Sequence, residues 1–397
     1  FRHLVITRLI APGSKLKTVD YLKRYKGISI DISKVYRFMD TLHRSLKRQV
    51  EQIAFDYTKS VLAGKISVVF YDMTTLYFES SDEDDLRITG FSKDGKAQNP
   101  QILLGLLVAS NGYPIGYEIF EGNKYEGHTL IPVLEHFQQR FNLSRPIVIA
   151  DAGLLSTPNI KYLRSKQYEF ILGARLKNES DEIKDQILSQ PLADGEFTVI
   201  KIADDLRLVV SYSEKRAKND LKNRERGLKR LERSLNKGKL TKSHINNRGY
   251  NKYLRLEGDI SITIDYDKFN SDNKWDGLKG YLTNTKLSAK DIIENYNQLW
   301  QIEKAFRISK TDLKIRPIYH RIRSRIEAHI CIAFVAYIIY KEVEKRLADR
   351  NIPLSPARVA ELTKTMYTIK IRIPETDQWE IIPFEWTQEQ KLVGRIL

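Results

Sequence analysis

The chain has 397 residues, of which 42% are hydrophobic, so it can bury a full core in one elaborated domain or in two to three ordinary ones. Lysine and arginine exceed aspartate and glutamate by 66 − 50 = 16, which favours a polyanionic partner, with nucleic acid ahead of an anionic membrane. Cys331 is the only cysteine, which excludes a disulfide framework and a cysteine-based zinc site within one chain and favours a reducing cytoplasm.

Residues 1 to 62 show helical periodicity, with Val35, Phe38, Met39 and Leu42 at three- and four-residue spacing. This pattern predicts a small all-helical N-terminal segment. The chain starts at Phe1, with neither an initiator methionine nor a basic-then-apolar signal segment. We therefore expect this segment to be truncated upstream, where a DNA-binding part would be missing.

The section from residue 63 to residue 175 alternates between strand and helix patterns. The run ISVVFYDMTTLYF is rich in β-branched and aromatic residues, which favour strands, and Asp72 is the one acid inside it. Asn111-Gly112 between two apolar runs predicts a β-hairpin. In chain order the predicted elements are strands over 66–78, 102–110 and 113–120, a helix over 127–141, a strand over 145–151, a helix over 157–166 and a strand over 169–174. They predict an α/β fold in which helices cover a mixed sheet.

Residues 176 to 286 interrupt this pattern and are predicted to form a mostly β insertion. Strands are expected over 197–202, 206–212, 259–266 and 277–282. They surround a charged segment from Glu214 to Lys252, which holds fourteen lysines and arginines against four acids, a surplus of 14 − 4 = 10. Two interpretations stay open for it: a solvated protrusion of helix and loop, or a basic arm whose side chains displace counterions from DNA phosphates.

The section from residue 287 to residue 348 is predicted to be helical over 288–313 and 320–348, with a break at Pro317. Its apolar run from Cys331 to Tyr340 is about half the ~20 residues that span a bilayer, which predicts a buried helix and no membrane segment. Residues 349 to 397 form a C-terminal segment, with a helix expected over 356–364 and a strand over 367–373.

Three acids in these elements are candidates for catalysis. Asp72 has apolar neighbours, and because a buried, unpaired carboxylate is costly, it needs either a metal ion or a neighbouring threonine hydroxyl as its partner. Asp151 ends a strand, where α/β sheets place ligand-binding groups, although a helix N-cap or a turn also explains it. Glu303 lies on a predicted helix, where a surface pair with Arg307 is the simpler explanation.

Taken together, the three acids suit divalent cations. Carboxylate oxygens are ligands that Mg²⁺ and Mn²⁺ prefer, and two such ions about 3.5 to 4 Å apart can activate the attacking oxygen and stabilise the leaving one in phosphoryl transfer. Asp72, Asp151 and Glu303 are therefore the candidate catalytic residues and ligands of two metal ions. On a single helix Tyr296, Glu303 and Lys310 are seven residues apart, which puts them on one face.

These residues resemble a known family. The motifs YDMTT around Asp72 and IADAGLLS around Asp151, with the spacing of Tyr296, Glu303 and Lys310, are similar to the DDE transposases of the insertion sequence 4 superfamily, particularly its insertion sequence 1634-like group. The resemblance covers nearly the whole chain. The family has an arginine three residues after the tyrosine, and leucine stands there in this sequence. Trp300 and Arg307 are the nearby residues that would supply part of that contact.

The resemblance implies a ribonuclease H-like fold interrupted by a largely β insertion. It also implies cut-and-paste transposition by a homodimer on double-stranded DNA, with transposon ends and target DNA as substrates, in a bacterial or archaeal cytoplasm. In this family the lysine contacts a phosphate near the cleaved end and the tyrosine stabilises the transposon terminus, so Lys310 and Tyr296 are expected in these roles. Solvation of the lysine and packing of the tyrosine stay open as alternatives. Trp300 is a candidate for stacking on a flipped base, with core packing as the alternative.

A second basic group follows the helix of Glu303. Its members are Arg316, His320, Arg321, Arg323 and Arg325. They are candidates for binding backbone phosphates, and plain surface charge explains them equally well. His320 is no metal candidate, because no partner histidine stands at ligand spacing.

Three other functions compete with DNA transposition. A phosphatase of the haloacid dehalogenase type also has a strand-end aspartate followed two residues later by threonine, but its second acid is missing near Met73 and Thr74. A captured transposase would bind DNA without catalysis, and the presence of all three acids argues against it. A structural or membrane-surface protein has no amphipathic motif in its favour.

Overall fold

A computed structural model describes residues 1–141, 145–246, 249–257 and 261–396. The chain divides into two compact units. The first unit comprises Phe1–Ala150, Ser156–Tyr168 and Gln298–Leu397, and the second comprises Asp151–Leu155 and Glu169–Asn297. The finer segment boundaries expected from the sequence stay predictions.

Helices open the first unit, as the periodicity predicts. They are α1 (Arg2–Ile10), α2 (Lys15–Lys26), α3 (Ile32–Thr41) and α4 (Lys47–Val61). A π-helical segment, Leu42–Leu46, joins α3 to α4. The side chain of Ser14 accepts a hydrogen bond from the backbone N–H of Lys17 and so caps the start of α2, while Gly27 ends it with φ 62°.

A mixed sheet follows in the first unit. Its strands and their helices are β1 (Val68–Tyr77), β2 (Gln101–Ala109), β3 (Pro114–Glu121), α5 (Leu130–Phe141), β4 (Ile147–Ala150) and α6 (Thr157–Ser165). The strand order is β3-β2-β1-β4, with β1 antiparallel to β2, β2 antiparallel to β3, and β4 parallel to β1. Gly112 in the β2–β3 turn has φ 78°, a left-handed conformation that favours glycine. The expected α/β fold with a mixed sheet is confirmed.

The second unit is rich in antiparallel strands. Its elements are β5 (Phe170–Ala174), α7 (Asp181–Leu188), β6 (Phe197–Ala203), β7 (Leu206–Tyr212), α8 (Glu214–Asn236), β8 (Leu254–Glu257), β9 (Ser261–Ile264), α9 (Tyr266–Ser271), β10 (Leu278–Thr283) and α10 (Ala289–Asn297). Strands pair in the order β5-β10-β7-β6, and β8 pairs with β9. The expected strand over 259–266 includes residues 259 and 260, which lie outside the described residues, and its last residue, Tyr266, begins α9 instead.

The last section of the first unit is mainly helical. It contains α11 (Trp300–Thr311), α12 (Arg323–Asp349), α13 (Pro356–Thr363), β11 (Thr368–Ile373), β12 (Gln378–Pro383) and α14 (Gln388–Gly394). Helix α12 packs against α1, α3, α4 and β3, so its apolar run is largely buried, as expected. Among the described residues, none of the helices is long and apolar enough to cross a membrane.

The single helix expected over 288–313 is wrong, because the structure divides it. Helix α10 ends at Asn297 and α11 begins at Trp300. The N–H groups of Gln301 and Ile302 bond to carbonyls only three residues back, so the four-residue ladder of an α-helix is interrupted there. Tyr296 therefore does not share a continuous helical face with Glu303, whereas Glu303 and Lys310 both lie on α11.

Candidate functional site

Asp72 lies within β1, opposite Leu106 of β2. Its neighbours Tyr71 and Met73 are buried, whereas its own side chain is 21% exposed. The Nζ of Lys93 lies 3.9 Å from Oδ1 of Asp72. This cation compensates the carboxylate in a largely apolar strand, a partner that the sequence did not indicate.

Asp151 directly follows β4, which ends at Ala150. In the parallel pairing of β1 with β4, Tyr71 is the partner of Ala150. Asp72 follows Tyr71 in the chain, and Asp151 follows Ala150. Each aspartate therefore directly follows one member of this residue pair. Within its own unit, Asp151 accepts a hydrogen bond at Oδ1 from the N–H of Gly153 at 2.9 Å, which is the turn role that stayed open for it.

Glu303 is exposed in the first turn of α11, and Arg307 is exposed one turn further along. Helix α11 packs against β1 and β2, which brings Glu303 and Asp72 to neighbouring elements of one unit. Within the described parts of the chain, no group of three or more His, Cys, Asp or Glu side chains is arranged to hold a metal ion. The carboxylates suit Mg²⁺ by type, but this arrangement holds no preformed cluster of three acids.

Lys310 and Arg316 meet on one carboxylate. The Nζ of Lys310 lies 3.4 Å from Oδ2 of Asp94, and the guanidinium of Arg316 contacts the same oxygen. Burial is the largest influence on Lys310 and lowers the pKa of its ammonium, while Asp94 opposes that decrease. Two candidate phosphate-binding cations are thus gathered side by side.

Arg321 and Arg323 pair with acids of the loop between β1 and β2. Arg321 lies 3.5 Å from Asp82, and Arg323 lies 3.3 Å from Asp85. All four side chains are more than half exposed. Such exposed ion pairs contribute little to stability, so phosphates can compete for both arginines.

His320 differs from the other members of this basic group. Its ring packs edge-on against Tyr36, with ring centroids 6.0 Å apart, and lies 5.6 Å from the ring of His329. Burial, followed by the nearby charge of Lys15, lowers the pKa of His320 to about 4. The imidazole is therefore uncharged at neutral pH and adds no positive charge there.

The two candidate aromatic contacts have opposite surroundings. Trp300 is 50% exposed at the start of α11, so core packing does not explain it and its ring is accessible for stacking. Tyr296 is only 6% exposed, and within the second unit its ring packs at a steep angle to Tyr281, with centroids 4.9 Å apart. The Nζ of Lys279 lies 4.4 Å from the centre of the Tyr296 ring. Packing therefore accounts for the position of Tyr296.

Sequence reasoning missed Lys93, Asp94 and Glu126. Lys93 pairs with Glu126 at 2.8 Å as well as lying near Asp72, and Asp94 contacts Lys310. One available signal was length, because the connection from Phe78 to Pro100 exceeds the about 12 to 15 residues beyond which ordered loops are usually functional.

Residues 63–339 match the family model of the transposase DDE domain. None of the curated protein sequences matches the chain. A cryo-EM structure of the piggyBac transposase synaptic complex with hairpin DNA is similar with a TM-score of 0.45 and 10% identity, over 91% of this chain and 80% of that chain. The Mos1 transposase paired-end complex with left transposon end gives a TM-score of 0.20 and 12% identity, over 43% and 56% respectively.

Proposed function

Because the chain belongs to the transposase DDE domain family, we propose that it catalyses metal-dependent DNA cleavage and strand transfer at transposon ends, as in cut-and-paste transposition. Asp72, Asp151 and Glu303 are the proposed catalytic acids. The observation that carries this proposal is the parallel register of β1 and β4, in which the paired residues Tyr71 and Ala150 immediately precede the two aspartates.

Two Mg²⁺ or Mn²⁺ ions are the proposed cofactors, because the three carboxylates offer hard oxygen ligands and such ions supply charge stabilisation to the attacking and leaving oxygens. Three further side chains are proposed to assist the acids. Lys93 balances the charge of Asp72 and holds it in place. Arg307, exposed on the helix of Glu303, and Trp300 offer a phosphate contact and a stacking surface for an unpaired base.

The proposed partner is double-stranded DNA, both as transposon end and as target, bound by a homodimer. Lys310, Arg316, Arg321 and Arg323 are the proposed phosphate contacts, and Tyr296 and His320 complete the proposed set of DNA contacts. The YDMTT and IADAGLLS motifs support placing the chain in the insertion sequence 4 superfamily, in its insertion sequence 1634-like group. A bacterial or archaeal cell is the corresponding setting.

Cleavage of a labelled duplex that carries the element's end, with Mg²⁺ or Mn²⁺, tests the proposal. We expect the full-length protein to nick this duplex, and Asp72→Asn, Asp151→Asn and Glu303→Gln to bind it without nicking it. Glu294→Gln, a change to an acid on α10 outside the proposed triad, is the matched control and should cleave normally. If the wild type binds the end specifically but never cleaves it with metal, the chain is instead a captured, transposase-derived DNA-binding protein.

A further inference from the structure

The loop between β1 and β2 carries two adjacent charged residues to the proposed site. Lys93 donates a hydrogen bond from Nζ to the carbonyl oxygen of Met73 at 2.8 Å and pairs with Glu126 at 2.8 Å. Next to it in the loop, the hydroxyl oxygen of Ser92 accepts hydrogen bonds from the N–H groups of Asp94 and Lys96 at 3.3 and 3.0 Å. The backbone of this short segment is therefore fixed next to the strand of Asp72.

Asp94 joins three separate parts of the first unit. Its Oδ2 accepts from the hydroxyl of Thr75 on β1 at 3.5 Å, and its two oxygens lie 3.4 and 3.5 Å from Nζ of Lys310 on α11. Arg316, in the connection that follows α11, contacts Oδ2 as well. The exposed fractions of Asp94, Lys310 and Arg316 are 18%, 14% and 22%, so solvent screens these contacts less than it screens a surface ion pair.

One carboxylate cannot use all the donors of two cations. An ammonium has three N–H donors and a guanidinium has five, whereas Asp94 offers two oxygens, one of which is shared with Thr75. The charge of the three ionised groups also sums to a surplus of one positive charge. The cluster therefore keeps both the charge and the donors that a phosphate group needs, while Asp94 limits where the two long side chains point.

We propose that Asp94 is a positioning residue, which holds Lys310 and Arg316 side by side so that their remaining donors bind one phosphate of the DNA strand that is cut. Asp94 itself touches no DNA in this arrangement and acts through the two cations. The inference rests on the proposed function, since the reaction supplies the phosphate.

The direction in which Asp94→Asn changes the cleavage rate distinguishes a positioning role from a purely electrostatic one. Asp94→Asn removes a negative charge near DNA, so electrostatics alone would leave cleavage unchanged or strengthen DNA binding. If Asp94 positions Lys310 and Arg316, the same change lowers the rate of cleavage at saturating DNA by about tenfold, because a small misplacement near the reacting phosphate is costly. Its apparent Kd for the DNA should not rise.

A double-mutant cycle with full-length protein is the test. Single-turnover cleavage of the transposon-end duplex and binding of the same duplex are measured for wild type, Asp94→Asn, the double variant Lys310→Met/Arg316→Met, and the triple variant. We expect Asp94→Asn to have no further effect once both cations are gone. Glu79→Gln, an exposed acid of the same loop, is the matched control for loss of one negative charge.

Two results would overturn the inference and leave the proposed function intact. One is an Asp94→Asn variant that cleaves at the wild-type rate. The other is an undiminished tenfold effect of Asp94→Asn in the variant that lacks both cations. Asp94→Glu keeps the carboxylate and should recover part of the rate, which provides a second variant if Asp94→Asn does not fold. A wild type that binds the end without cleaving it overturns the proposed function, and the inference falls with it.

Discussion

Arg8 and Lys15 are both 3% exposed, and after burial, which is the largest cause, their charges lower the pKa values of His320 and His329 in the first unit. The guanidinium of Arg8 donates to the carbonyl oxygens of Leu313 and Lys314 at 3.4 and 3.3 Å. Neutral acceptors therefore satisfy this buried cation, and its positive charge is not neutralised by them. A further proton on either imidazole would add positive charge to a buried, already cationic region. Burial and the two neighbouring cations therefore favour the neutral form of both histidines.

This arrangement predicts how stability depends on pH. Burial is the largest cause that lowers the pKa of His320, and the charged groups around it are Lys15, Arg8, Arg325 and Asp40, of which only Asp40 raises it. The folded pKa of about 4 lies below the ordinary value of 6.5. The unfolded chain therefore binds more protons between these values, and stability that is complete above pH 6.5 is lost as the pH falls towards 4.

We expect His320→Asn to flatten this decrease. Urea unfolding at several pH values between about 7 and 4.5 should show a slope smaller than that of the wild type by up to about 1.4 kcal/mol per pH unit, the limit for one proton. His3→Asn, which removes a partly exposed histidine from α1, is the control. Equal slopes in wild type and His320→Asn would contradict neutral burial of this ring.

Among elements, the β1–β2 loop is attached to the end of β3 through Gly122. The N–H of Gly122 donates to the carbonyl oxygen of Leu86 at 3.2 Å, and its own carbonyl accepts from Nε2 of Gln101 at 2.9 Å. A Cβ at this position would lie 2.1 Å from the carbonyl oxygen of Ile88 and 2.2 Å from that of Gln101. Because both are backbone atoms, neither can rotate away.

Gly122→Ala should consequently lower the free energy of unfolding by about 1 to 3 kcal/mol, the usual cost of overpacking. Gly13→Ala is the comparison, since its added methyl meets only the flexible side chain of Lys17, at 3.3 Å. Chemical denaturation of both variants measures the difference. A Gly122→Ala protein as stable as Gly13→Ala would mean that the loop is not held at this point.

Elements with a strong local pattern were predictable from sequence. The apolar run of β1 and the Asn-Gly turn after β2 are local signals, and the structure contains both elements. The break between α10 and α11 was not predictable, because helical periodicity continues through Gln298 and Leu299 without a glycine or proline. Strand β12 and helix α14 were also missed, in a segment where periodicity is weak.

The candidate site shows the same limit. The three acids were selected by residue type and by their place at the ends or centres of patterned elements, and their catalytic role stays a prediction. The contacts of Asp94 with Lys310 and Arg316 join residues more than 200 positions apart, which no local pattern specifies. Likewise, the burial of Tyr296 depends on Tyr281 of β10, on a different element.

Over the whole molecule the net charge is +16, and α8 holds nine lysines and arginines against four acids, a surplus of 9 − 4 = 5. Lys222, Arg226, Lys229 and Arg233 all belong to this helix, and their spacing of four, three and four residues places them on one helical face. The buried residues of the helix include Gly227 and Leu231. These four cations are called the α8 stripe. Substitutions in this stripe can test whether the charged segment is a solvated protrusion or a DNA-contacting arm.

If the α8 stripe binds DNA, replacing its four cations by glutamine should make the dependence of log K on log salt shallower by up to about 0.9 for each phosphate that these side chains neutralise. Binding of a labelled duplex across a range of NaCl concentrations gives this slope. The control removes the same charge through four exposed cations of the first unit, Lys345, Arg350, Arg358 and Lys391. Equal changes in the two variants would show that only net charge matters, and the arm would be a solvated protrusion.

The interrupted order of the first unit has a consequence for biosynthesis. Strands β1 to β4 of this unit end at Ala150, but α11 and α12 lie beyond Gln298, after all of the second unit. A ribosome that adds about 5 to 20 residues per second needs roughly 7 to 30 seconds to cross that interval. During this time the emerging strands lack the helices that later cover them, so the half-made chain is a natural client for chaperones that shield apolar surface.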